Sequence, residues 1–178
     1  MKTLVRSLLL VTLLCGSAPL TAQSTTLWRV GLAAGIGGTE DADVSPGYDA
    51  SVLQLTLGMN GEAGTSLVAR IGSMDFDGEQ INSLVDPEMR WATLGGEYRF
   101  RGRWFESGLF LALGGYQLEG DFAGVSEDET AWGLSFGSTA EWRLSQHFSV
   151  DAELSGHWAD FDQAQIFLVG LVGVSVHF

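Results

Sequence analysis

After Lys2 the chain has no lysine, and after Cys15 it has no cysteine. Residues beyond the first 22 therefore have no disulfides, thiol chemistry or Cys-ligated metals. The seven basic residues from position 23 onward are all arginine. Leaving out Lys2 and Arg6 takes the formal net charge from −13 to −15. No basic stripe is present to meet phosphates, so nucleic-acid binding is excluded. Charged residues are 17% of the chain, against a typical ~25%. Beyond the N-terminal segment no run of ~20 apolar residues occurs, so no transmembrane helix is expected. The three prolines, Pro19, Pro46 and Pro87, all fall outside the expected strands, where a proline would remove a ladder donor.

The N-terminus has the layout of a secretory signal peptide. Lys2 and Arg6 form a positive n-region, Leu8 to Leu14 a short apolar core, and Ser17 to Ala22 a small-residue c-region. Cleavage is expected after Ala22, leaving residues 23–178 as one domain. A lipoprotein reading centred on Cys15 is weaker, because Leu14 stands where a small residue is wanted. Glycine is abundant, at 24 of 178 residues, about twice its usual ~7% share. An apolar, glycine-rich, exported chain without a helical span points to a closed barrel, because helices and closed barrels alone satisfy every backbone group in lipid.

Alternation predicts eight strands, roughly 27–37, 50–59, 65–74, 89–100, 105–117, 130–143, 148–158 and 167–178. Long or acidic connections (Gly38–Asp49, Asp75–Glu88, Leu118–Glu129, Ala159–Ile166) alternate with tight ones at 60–64, 101–104 and 144–147. An even strand count with that rhythm belongs to outer-membrane barrels, long loops outside and short turns in the periplasm. One face of the strands is apolar, as in Leu53, Leu55, Leu57 and Met59. The other holds the charges Arg29, Arg70, Glu97, Arg99, Glu106, Glu141, Arg143, Asp151 and Glu153. A charge facing lipid at mid-depth costs ~2–4 kcal/mol, which explains the sorting. A secreted ligand-carrying barrel would be sorted the other way, apolar inside and polar outside. The register over 105–117 is the least tidy, because it turns Phe110 and Tyr116 inward. Trp132 and Trp142 share a face ten residues apart, or ~25 Å in height at ~3.3 Å per residue and ~40° tilt, close to the spacing of two aromatic girdles. Trp28, Tyr98, Phe100, Phe148 and Phe178 join the Trp142 girdle, and Trp158 joins that of Trp132.

With its signal peptide, the units Gly96-Glu97-Tyr98-Arg99-Phe100 and Ala140-Glu141-Trp142-Arg143-Leu144, and the ending Val174-Ser175-Val176-His177-Phe178, the chain resembles the small eight-stranded outer-membrane β-barrels. That group contains the transmembrane domain of outer-membrane protein A, outer-membrane protein X and the opacity proteins. The resemblance implies an all-β, eight-stranded antiparallel up-and-down transmembrane β-barrel in the outer membrane of a double-membraned (Gram-negative) bacterium. It implies that Val172, Val174, Val176 and Phe178 are read by the barrel-assembly machinery. Expected partners are that machinery and periplasmic chaperones during biogenesis, then outer-membrane lipid and lipopolysaccharide. A monomer without cofactor is expected.

Three constellations invite chemistry. The inward charges concentrate near the periplasmic end, and an eight-stranded barrel is only wide enough for its side chains to fill it. They are read as a buried ion-pair plug, with a narrow or gated pore as the alternative. Ser155, His157 and the following Asp160 suggest a hydrolase acting on lipid A. However, successive same-face residues lie ~6–7 Å apart, too far for a direct bond without curling, so polar lumen lining is the plainer reading. His147 and Ser149 share a face at the opposite end. Asp75, Asp77, Glu79 and Asp86 sit at positions one, three, five and twelve of a calcium loop, but Gln80 replaces the glycine such a loop needs. A solvated loop is the plainer reading there as well. The function expected is a filled surface barrel with acidic loops and a structural or adhesion-like role.

Overall fold

The computed structural model describes residues 28–39, 50–76, 80–81, 84–102, 105–122, 125–161 and 166–178. The expected signal peptide lies outside them. The strands are β1 (Trp28–Thr39), β2 (Ala50–Asn60), β3 (Thr65–Asp75), β4 (Gln80–Ile81), β5 (Leu84–Arg101), β6 (Glu106–Phe122), β7 (Val125–Arg143), β8 (Phe148–Ala159) and β9 (Ile166–His177). They follow the order β3-β2-β1-β9-β8-β7-β6-β5-β4, and β3 also pairs with β5. That pairing closes eight long antiparallel strands into a barrel, and two-residue β4 is an addition on the far end of β5. Closure leaves no free edge within the ring, which is what a lipid environment demands.

Side-chain exposure alternates as the sequence predicts. Leu113 (66% exposed) and Trp132 (78%) face outward, while Gln54 and Arg70 (1% each) face inward. A contiguous belt of exposed leucine, isoleucine and valine is foreign to a water-soluble surface. Phe110 and Tyr116 do point inward, at 6% and 1% exposure. A Cβ on Gly137 would meet the Phe110 ring at 2.9 Å, and one on Gly133 the Tyr116 ring at 2.8 Å. Inward aromatics therefore lie over glycines of the next strand, and this is how β6 tolerates them.

The turns at one end are tight. Ser145 Oγ accepts from the His147 and Phe148 amides at 3.2 and 3.0 Å. Between β2 and β3, Ala63 (φ 56) and Gly64 (φ 82) take left-handed conformations, which Gly64 adopts without the Cβ penalty.

At the other end the strands differ from expectation. Alternation judged by an apolar outward face stops at residue 117 and resumes at 130, but β6 continues to Phe122 and β7 begins at Val125. Their partners continue to match, Glu119 with Asp128 and Asp121 with Ser126. The outward face turns polar where strands leave the apolar belt, although the ladder goes on. The fourth expected strand starts at 89, but β5 starts at Leu84. Pro87 thus lies within a strand. It sits at a register shift between Val85 and Glu88, beside Asp86 at φ 49, the irregularity where a strand accepts proline. β7 rises seven residues above Trp132, or ~18 Å at ~40° tilt.

Candidate functional site

The lumen is built in two layers. Toward the tight turns, Glu97 is the hub. It accepts Arg29 Nη2 at 3.3 Å, Arg70 Nη2 at 3.3 Å, Arg99 Nε at 2.9 Å and Thr139 Oγ1 at 3.1 Å. Glu141 accepts Arg99 Nη1 at 2.6 Å, Arg29 Nη1 at 3.3 Å and Arg143 Nε at 3.1 Å. Glu153 accepts Arg70 Nε at 3.0 Å and Gln54 Nε2 at 3.3 Å. The Arg70 guanidinium also lies 3.7 Å from the Phe110 ring centroid. Glu106 pairs with Arg99 at 3.5 Å and Arg143 at 3.8 Å, nearer the mouth. Strand register explains the convergence, because Arg29 on β1, Arg70 on β3, Glu97 and Arg99 on β5 and Glu141 on β7 all occupy inward positions toward the tight-turn end.

Asp151 differs from its expected place among the ion pairs. It accepts the hydroxyls of Ser149, at 3.2 Å, and Ser175. Ser149 also meets His177 Nε2 at 2.9 Å, rather than His147. Glu141 approaches that same nitrogen at 3.3 Å. A triad needs the acid on the other ring nitrogen, so this group is not one. A lumen cavity beside Arg29, Gln54 and Glu153 has a volume of about 30 Å³, room for at least one water.

The outer half of the lumen is apolar, which composition by face does not predict. Met74, Phe76, Met89, Trp91, Phe161 and Phe167 are buried there as one cluster. Phe167 has ring centroids of Phe76 and Phe161 each at 6.3 Å. Phe76 and Phe161 belong to segments the sequence assigns to loops, which is why the sequence predicts a polar lumen and not an apolar outer half.

Ser155 and His157 lie between the layers. Ser155 Oγ is 3.2 Å from His157 Nε2, so the long imidazole spans the gap that backbone spacing alone leaves open. The other nitrogen meets Tyr116 OH at 3.2 Å, and the Trp91 ring lies 4.9 Å from the imidazole. Asp160 is exposed and bonds through its amide to the Trp132 carbonyl. The third member is therefore Tyr116, on a different strand, and Ser155, His157 and Tyr116 are each at most 2% exposed. The inward aromatics Trp91 and Tyr116 were readable from alternation as lumen residues, but not as partners of His157.

No group of three His, Cys, Asp or Glu side chains suited to a metal occurs among the described residues. Asp75 ends β3 opposite Glu88, and Asp86 lies in β5. Strand pairing thus replaces the coil a calcium loop requires, while Asp77 and Glu79 lie outside the described residues. On the outer wall Trp28, Tyr98, Phe100, Trp142 and Phe148 are exposed near the tight turns, Trp132 and Trp158 near the other end. Val172, Val174, Val176 and Phe178 face outward. Phe178 exchanges two backbone hydrogen bonds with Trp28, at 2.9 and 3.1 Å.

Comparison with curated protein sequences gives no match. Among solved structures, Neisserial surface protein A is 13% identical with a TM-score of 0.72, covering 89% of this chain and 100% of its own. The attachment invasion locus protein Ail of Yersinia pestis is 12% identical with a TM-score of 0.63, covering 86% and 99%. The N-terminal β-barrel domain of Pseudomonas aeruginosa OprF is 12% identical with a TM-score of 0.58, covering 84% and 97%. At such identities the likeness concerns the fold. The family model for the outer membrane protein beta-barrel domain matches residues 7–178, and the chain belongs to that outer-membrane family.

Proposed function

We propose that this protein is a closed barrel that works from its outer surface, with a structural or adhesive role, rather than through its lumen. The observation that carries this reading is the double filling of the interior, ion pairs below and an aromatic–methionine cluster above. The three tall strands β5, β6 and β7 supply the working surface. Their outward face above Trp132 carries Glu88, Glu119, Asp121 and Asp128 against Arg90, which suits a cationic or cation-bridged partner. Ser155, His157 and Tyr116 serve as lumen packing in this reading, because lipid has no path to them through the filled outer half.

The test compares the full chain with one in which residues 119–128 are replaced by a tight turn, both in lipid nanodiscs. The trimmed barrel should fold equally well and lose most of its retention on immobilised polylysine. Equal retention would contradict the assignment of the working surface to this hairpin. In cells expressing the full chain the lipid A mass spectrum should be unchanged, and a new lipid A species would overturn the packing role of Ser155 and His157.

A further inference from the structure

The lipid-facing wall is not uniformly convex. A groove of about 560 Å³ crosses it from Thr130 on β7 to Leu32 on β1. Its floor is made of small residues: Ala92 and Gly115 stand opposite each other, with Ser73 one step along on β3. A Cβ on Gly115 would have nothing within 4 Å, so the absence of a side chain there leaves open space on the lipid side. Leu53, Leu55 and Ile71 rise beside the floor, each about half exposed.

The direction of the groove is set by the register. It crosses six strands, or five steps of ~4.8 Å, and with strands tilted ~40° this descends ~15 Å, the depth of one leaflet of a ~30 Å hydrocarbon core. The upper end lies beside the Trp132 girdle, because Gly115 pairs with Trp132. The lower end, at Leu32, lies four residues above Trp28 of the periplasmic girdle. Its two rows of side chains are two residues apart along each strand, or ~7 Å. That width admits one hydrocarbon chain and excludes the broad wall of a second barrel.

The polar end narrows the ligand further. Arg90 is clamped by Glu88 at 2.8 Å and Glu119 at 3.4 Å, so the local charge is negative and the uncharged amide- and hydroxyl-bearing part of a head group, not a phosphate, faces this end. Gln117 and Thr130 pair across β6 and β7 and bring a hydroxyl and an amide, the latter also donating to Glu119 at 2.8 Å, to the same place. We propose that this groove seats an acyl chain of an outer-leaflet glycolipid, with the hydroxyl- and amide-bearing sugar end of that chain against Gln117 and Thr130.

The test is native mass spectrometry of protein extracted from outer membranes in mild detergent. The wild type should retain one lipid A-bearing molecule per chain. The double variant Ala92→Leu/Gly115→Leu fills the groove from two outward positions and should lose that occupancy at least tenfold. Gly170→Leu, also outward with open space around its Cβ but on β9, should retain it. Equal retention by all three proteins would overturn the proposal. So would a retained phospholipid in place of the glycolipid, or a dimer that the double variant abolishes.

Discussion

At the scale of single residues, burial decides which charges matter. Glu97 has a side chain 0% exposed and three guanidinium partners. Removing it strands those cations in a medium that solvates them poorly, a loss on the order of 3–5 kcal/mol. Arg143 is 27% exposed and sits at the mouth, where a pair is worth ~0–1 kcal/mol. Glu97→Ala should therefore lower the thermal midpoint in detergent far more than Arg143→Ala does. Equal midpoints would show that the buried lattice carries no special weight. The charged members of this lattice were legible in the sequence, because alternation put every one of them inward. Their partners were less so. Asp151 found two serine hydroxyls, and His157 found Tyr116 across the lumen, since period-two spacing fixes a side chain's face but not which strand faces it.

At the scale of elements, the wall is shaped by where glycines stand. A Cβ on Gly72 would collide with the indole of Trp91, its cross-strand neighbour, whereas one on Gly96 would touch nothing. Gly72→Leu should cost ~1–3 kcal/mol through overpacking and shift tryptophan emission. Gly96→Leu should do neither. Matching unfolding midpoints for the two variants would contradict the packing described. The strand ends show what sequence patterning misses. Alternation located all eight spanning strands, because in lipid an apolar outward face is obligatory. Above Trp132 that requirement lapses, so Glu119, Asp121 and Asp128 read as loop although they belong to paired strands. Pro87 likewise reads as loop, because alternation does not reveal the bulge that accommodates it without ending β5.

At the scale of the whole molecule, the barrel interior is packed with two materials of different physics. Ion pairs occupy the periplasmic half, and a cluster around Phe76, Phe161 and Phe167 occupies the outer half. The first was visible in the sequence as inward charge. The second is only partly legible, because Phe76 and Phe161 stand in segments that read as loops while Met74, Trp91 and Phe167 stand at inward strand positions. In the reading proposed above, the two layers together keep the lumen shut and leave the outer surface as the place where this protein meets other molecules. Single-channel recording in planar bilayers tests this account most directly. The refolded protein should give no discrete conductance steps at moderate voltage. Reproducible openings from the wild-type barrel would contradict a sealed lumen and restore the pore reading.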